Sequence, residues 1–396
     1  MTNTESAKKK RRDPRLDFFR GVCLVIIYIA HIWDNPWARF IPARFGFSDA
    51  TEIFVFCSGM ASAVAFGDVF VRRGVAIGVA RIAHRCWQVY WSHVATFLVV
   101  AALMVAADKG FGTGGKYLDG LGLEAAFGEH SRDAVLGLLT LTFVPHFFDI
   151  LPMYLVILVL LPMVVVAADV HKGLAFAVVL TLWIVASTGR LDLPAQPWAI
   201  GTPDATTWFF NPFSWQLIFF TGFAFMRGWL PPPRVDRRWI WICAAFTALS
   251  VPFAWSPALD WLPVLREGRA WLESAVDKTH FGLLRFVHFL CIAYLAYVAV
   301  GEHGSRLTGR FVDVLRRLGQ QSLAVFIAGL VLSFVASIAL NYTGRNVVAV
   351  AVVNLGGIGI LILIAGLVGW FKSMPWKHER VPTRVPTTVH EMTGNK

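Results

Sequence analysis

Charge is scarce in this chain. Only 15% of its 396 residues are Asp, Glu, Lys or Arg, where ordinary soluble domains carry about 25%. That shortage excludes an assembly of soluble domains, although length alone would allow two or three. Cysteine is sparse too. Cys23, Cys57, Cys86, Cys243 and Cys291 lie in or beside apolar segments, and none forms a CxxC pair. Neither a disulfide framework nor a zinc site is indicated, and the thiols read as small buried hydrophobes. A cleavable signal peptide is missing as well. The basic start (Lys8, Lys9, Lys10, Arg11, Arg12 and Arg15) runs into an apolar segment that contains Arg20 and has no small-residue cleavage site. That is the pattern of a retained signal anchor. No internal repeat of the kind that marks many transporters is present.

Apolar length is abundant instead. Hydrophobic residues make up 56% of the chain, with 16 Trp and 32 Phe, and the mean hydropathy is +0.59. This composition predicts an all-α fold, a polytopic bundle of membrane helices in the lipid bilayer. A helix needs about 20 mostly apolar residues to cross. Ten segments qualify: 16–34, 47–70, 87–107, 150–168, 173–188, 211–230, 239–256, 280–301, 319–341 and 347–371. Segment 134–149 is too short and holds Pro145, His146 and Asp149; it reads as a re-entrant or interfacial piece. The formal net charge of +11 would suggest nucleic acid in a soluble protein. Here it follows from the positive-inside rule, and no nucleic acid is expected. With both termini cytoplasmic, inner segments hold 24 Lys and Arg and outer ones 10. Making 134–149 a full span would put the Arg-rich segment 226–238 outside. The expected organisation is a basic cytoplasmic tail (1–15), a ten-span membrane domain (16–371) and a disordered cytoplasmic tail (372–396).

Ionisable residues inside membrane helices are costly and mark function by default. Arg20 and His31 are eleven residues apart. That spacing is three turns plus about 20°, so they share one helix face, about 16 Å apart along the axis. The bland alternative is an arginine snorkelling to the inner interface and a histidine hydrogen-bonded within the bundle. Asp49 and Glu52 share a face at the outer end of the second segment. Either could orient His31, while Ser48 and Asp49 also suit helix capping. Ser58-Gly59 lacks a nucleophile elbow and suits close helix packing. Arg72, Arg73, Arg81 and Arg85 form a cationic cluster on the cytoplasmic side, fit for phosphate or for anionic lipid. The cluster Arg306, Arg310, Arg316 and Arg317 has the same two readings. His146 and Asp149 could pair at the outer mouth if the chain is helical there. Arg285 and His288, also three apart, lie one to two turns deep. Arg285 could take a substrate carboxylate or pair with Glu52, Asp149 or another acid. Trp33, Trp37, Trp198, Trp208, Trp255 and Trp261 could stack on sugar rings or anchor at the interface.

The run from Asp13 to Gly59 (DPRLDFFRGVCLVIIYIAHIWDNPWARF, then FGFSDATEIFVFCSG) resembles the OpgC family. So do DKTHFGLLRFVHFLCIAYLAY at 277–297, NPFSWQLIFFTG at 211–222 and LGQQSLAVF at 318–326. The resemblance spans most of the chain. It implies the wider acyltransferase-3 superfamily, whose Arg–ten residues–His signature is matched by Arg20 and His31. It also implies a multi-pass protein of the bacterial inner membrane that succinylates osmoregulated periplasmic glucans.

The implied partners are a cytoplasmic succinyl-CoA (acyl-CoA) donor and a periplasmic glucan acceptor, with no metal. A homo-oligomer is left open. His31 is then the expected general base, with an acyl-histidine as a variant, and Arg20 and Glu52 join it as catalytic residues. Arg20, Arg72, Arg73, Arg81 and Arg85 are expected on CoA. Asp49, His146, Asp149, Arg285, His288 and Trp33 are expected on the acceptor or the acyl group. Transfer of acetyl or another acyl group to a different envelope polysaccharide is the alternative within the class. A secondary transporter or flippase is the alternative outside it.

Overall fold

Side-chain caps and prolines start several of the long helices. The computed structural model describes residues 13–203 and 205–377. In it, α1 (Pro14–His31) begins on Asp13, whose carboxylate accepts the Arg15 backbone N–H, with Pro14 in the first turn. α2 (Ala50–Ser62) opens with a capping box. Asp49 accepts the Thr51 N–H, and Glu52 reaches back to the Asp49 N–H. The helix widens into a π turn at Ala63–Gly67 and continues as α3 (Asp68–Phe111). Gly74 interrupts α3 with φ +81°, a conformation that glycine takes without strain. Next come α4 (Ile150–Val170), α5 (Lys172–Ala186) and α6 (Pro212–Arg227), the last capped by Asn211. α7 (Arg237–Ser250), α8 (Leu283–Val300), α9 (Arg310–Gln320), α10 (Ser322–Thr343) and α11 (Val347–Ser373) complete the bundle.

No strand occurs among the described residues; one antiparallel bridge joins Pro194 and Thr207. Five helical stretches are long and apolar enough to cross a membrane: Ala50–Phe111 as one run, α4, α8, α10 and α11. This is a helical membrane protein. The expected segments 47–70 and 87–107 fall within the single run. The connection expected at 71–86 is itself helical, because nothing in it except Gly74 breaks the helix. The loop expected at 302–318 is largely α9, which buries Leu315, Leu318 and Gly319 and exposes Arg310 and Arg317. Segment 134–149 divides into the end of a helix, Ser131–Thr140, and an irregular stretch that starts at Leu141 with φ +59°. Residues 1–12 and 378–396 lie outside the described residues. So do the basic start before Asp13 and most of the tail assigned to 372–396.

α1 is the hub. It packs on α9, α2 and α10. A Cβ on Gly21 would fall on the Leu315 carbonyl, and one on Gly319 would fall on the Asp17 carbonyl. The two backbones therefore touch through reciprocal glycines. α2 and α6 meet the same way, Gly59 against Phe219 and Gly222 against Phe56. Without a hydrophobic drive between helices in lipid, such close approach supplies the packing energy. At its other end α1 is pinned to α11. The Tyr28 hydroxyl donates to the Val353 carbonyl at 2.7 Å. The buried amides of Asn35 and Asn354 exchange hydrogen bonds of 2.9 and 3.1 Å.

Gly319→Val is expected to destabilise the protein by about 1–3 kcal/mol through overpacking. Gly356, with open space around its Cα, is expected to accept Ala without loss. Thermal unfolding in detergent checks both, and equal behaviour of the two variants would contradict the α1–α9 contact.

Candidate functional site

The Arg20 end of α1 opens on a cavity of about 550 Å³. Arg20, Arg81, Arg85 and Lys372 line it, together with Ser58, Ser62, His84, Gln88, Tyr154 and Gln321. Four cations and no carboxylate among the described residues give it a positive field, which suits an anion. The π turn of α2 contributes Ala65 and Phe66 to its wall. The Arg20 guanidinium donates to the Ser322 hydroxyl from one Nη. Its Nε is buried without an acceptor among the described residues. Lys372, on α11, donates to the Gln321 side chain at 2.7 Å. Arg72 and Arg73 are not part of this lining. They precede the Gly74 break and are exposed, so the expected four-arginine cluster divides into two pairs.

His31 closes the other end of the same helix. Its Nδ1 lies 2.7 Å from the Ile27 carbonyl. A carbonyl only accepts, so Nδ1 carries a proton, and in the neutral ring Nε2 keeps its lone pair. No hydrogen bond engages Nε2 among the described residues. The ring packs on Phe147, with centroids 5.4 Å apart. Phe147 has φ +73°, an unfavourable backbone for an aromatic residue and the kind of strain that clusters at functional sites.

Behind His31 lies a charged layer. Glu52 is fully buried, and its Oε1 accepts from Arg285 Nη1 at 2.7 Å. Its Oε2 accepts the Asp49 N–H at 2.7 Å. Both carboxylate oxygens are therefore engaged, neither of them by His31. The charge of Arg285 is met by Glu52, one of the acids expected as its partner. Asp49 caps α2 and binds Lys278 Nζ at 2.5 Å. Asp49 and Lys278 are the charged groups that act on His31. Ser48 does not cap; its hydroxyl meets His288 Nδ1 at 2.7 Å. His288 and Arg285 make no direct bond, and His288 Nε2 is buried without a partner among the described residues.

The irregular segments gather at this same end. Asp149 is buried and accepts the Phe209 N–H at 3.3 Å. It lies just before α4, and burial lifts its pKa to about 7. His146 is exposed two residues beyond the Val144–Ala195 hydrogen bond. The His146–Asp149 pair considered from the sequence therefore does not form, because a turn and not a helix joins them. Trp33 is no open platform. It stacks on Tyr117 and meets Phe334 edge to face, and its backbone N–H donates to Ser337. Further round, His280 bridges two acids, Asp277 at 2.8 Å and Asp192 at 3.0 Å. Asn211 also donates to Asp192.

The match to known families runs over this whole assembly. The family model described as OpgC protein covers residues 12–373. The chain belongs to the OpgC family. No curated protein and no solved structure matches it.

In this OpgC-family chain, several residues at the two ends of α1 carried no assignment in the sequence. Ser322 and Gln321 lie within the quoted segment 318–326, and Lys278 within 277–297, so their positions were on view. Lys372 is a cation at the end of the last apolar run. Phe147 and Arg269 left no signal. Arg269 lies over the Phe47 ring at 5.8 Å, with Nη1 buried and without an acceptor among the described residues.

Removing one partner of the Glu52–Arg285 pair leaves a buried charge. Glu52→Gln and Arg285→Gln are each expected to cost about 3 kcal/mol, and the double variant less than their sum. A double-mutant cycle on thermal unfolding checks this. A second expectation concerns pH. Partial burial disfavours the His280 imidazolium, but hydrogen bonds to Asp192 and Asp277 outweigh it and hold the His280 pKa above its ordinary value. Its stabilisation is complete below about pH 6.5, the unfolded value, and is lost as pH rises through the higher folded value. His280→Gln should therefore lower the melting temperature at pH 5.5 more than at pH 9. An equal drop at both would remove the charged bridge from the account.

Proposed function

We propose that this OpgC-family protein is a transmembrane O-acyltransferase of the bacterial inner membrane. It moves a succinyl group from cytoplasmic succinyl-CoA to hydroxyls of osmoregulated periplasmic glucans. The reading takes the ten-span topology with both termini cytoplasmic. It rests above all on one observation: Arg20, in the wall of a cavity with four cations, shares its helix with a histidine whose proton is fixed on Nδ1.

The nucleotide phosphates of the donor then meet Arg81, Arg85 and Lys372. Arg20 guides the arm that carries the thioester along α1. The acceptor hydroxyl gives its proton to His31 Nε2 as its oxygen attacks the thioester carbonyl. The C–O bond forms, the C–S bond breaks, and the departing thiolate takes up the proton. Ile27 holds the imidazole in the tautomer that this step needs. Glu52 acts on this chemistry by position: it holds Arg285 and the start of α2, which presents Asp49 near His31. Arg269 supports a donor with a free carboxylate, because it is the guanidinium of this layer with an N–H that lacks an acceptor.

His31→Ala is expected to lower transfer by about 10²–10⁴-fold with an unchanged melting temperature. Mass spectrometry of periplasmic glucans, from cells with the native protein, with His31→Ala or with none, reads the outcome. Loss of succinyl mass in the latter two supports the reading. Glucans that keep their succinyl groups without the protein would sink the acceptor assignment, and full transfer by His31→Ala would sink the base.

A further inference from the structure

A second cavity, of about 710 Å³, opens between the end of α5 and the segment that precedes α8. Its lining includes Trp183 and Ser187 from α5 and its C-cap, then Trp271, Glu273, Asp277 and His280. The character of this wall is opposite to that of the Arg20 cavity. Two carboxylates line it and neither Lys nor Arg does, and its one basic side chain, His280, is already bridged to Asp277 and Asp192, so phosphates and acyl-CoA are disfavoured there. Two indoles contribute to the same wall. The Trp183 N–H donates to the Phe281 carbonyl at 3.0 Å, which fixes that ring. Trp271 is 88% exposed, so packing does not account for so large an apolar side chain at this position.

An aromatic face beside carboxylates and a hydroxyl is what a neutral sugar ring requires. The axial C–H groups of a pyranose form an apolar patch that stacks on an indole. Its hydroxyls, which all carry protons, donate to carboxylate oxygens. We infer that this cavity binds a neutral glucose unit of the acceptor glucan, with Trp271 as the stacking platform and Glu273 as the hydroxyl acceptor, while Asp277 is held by His280 and shapes the wall. The inference deepens the acyl-transfer reading and rests on it for the identity of the sugar.

The cavity is tied to His31 by a short piece of chain. Asp277 accepts the backbone N–H groups of Thr279 and His280 at 3.1 and 2.8 Å. Lys278, between Asp277 and Thr279, binds Asp49 at 2.5 Å. The Lys278 carbonyl accepts the Trp215 indole N–H at 2.8 Å. One rigid turn thus carries the sugar wall on one side and the charged neighbour of His31 on the other.

The test uses the full chain in lipid nanodiscs, since glucoside detergents would compete, and a β-linked glucose hexamer as probe. Saturable binding is read by calorimetry and by tryptophan fluorescence. Trp271→Ala is expected to weaken binding about ten-fold, the loss of one aromatic contact. Trp271→Phe should keep most of the affinity, and Trp241→Ala, on exposed α7, all of it. Equal affinity in the native protein and Trp271→Ala, or no binding to either, overturns the site. So does fluorescence of Trp271 that responds to brominated lipid and not to the hexamer, which would make it a membrane anchor. None of these outcomes touches the acyl-transfer reading, which the glucan masses decide. Conversely, Trp271-dependent binding in a protein whose deletion leaves glucans unchanged would keep the sugar site and sink the transferase.

Discussion

The contact between α1 and α9 constrains everything else in this molecule. Gly21 and Gly319 let the two backbones touch, and neither position has room for a Cβ. α1 therefore has no freedom to rotate or slide at its Arg20 end. The Asn35–Asn354 amide pair removes the same freedom beyond its His31 end. Buried amides that satisfy each other in an apolar bundle are costly to separate, because neither finds water when they part. A helix so fixed can hold Arg20 and His31 about 16 Å apart on one face without a soluble domain to brace it.

The two ends of that helix are built by different physics. At the Arg20 end, regular helices converge and supply cations from α1, α3 and α11. Field and shape there come from helix placement. At the His31 end, irregular segments 141–149, 191–211 and 277–282 meet, and hydrogen bonds between them replace helix packing. Val144 pairs with Ala195, Asn211 with Thr279, and Phe209 with Asp149. Such a surface can present polar groups in many directions, which a helix face cannot. The division matches the two substrates of the proposed reaction. The donor always has the same nucleotide, while a glucan offers many hydroxyls.

Glu52 illustrates how a buried charge is accommodated. Ionised carboxylates are expensive in an apolar bundle. Here each oxygen has a partner, one a guanidinium and one a backbone N–H that the start of α2 would otherwise leave orphaned. The same residue thus caps the start of α2 and joins α2 to α8. Its burial follows from those two roles together.

The sequence by itself determined the class of the protein. Scarce charge and long apolar runs decide for membrane helices before any contact is known, because bilayer thickness sets segment length. The spacing of Arg20 and His31 places them on one face through helix geometry alone. The capping of α2 by Asp49 was legible as well, since caps act within four residues. Only the tertiary structure decided which groups meet across the bundle. Glu52 takes Arg285 and not His31, Ser48 takes His288, and His146 turns away from Asp149. Arg81 and Arg85 join Arg20 while Arg72 and Arg73 do not, because one glycine breaks the helix between the pairs. These choices depend on helix rotation and on loops with left-handed residues such as Phe147, which no local periodicity encodes. Partners 233 residues apart, as Glu52 and Arg285 are, become neighbours only when packing brings their helices together.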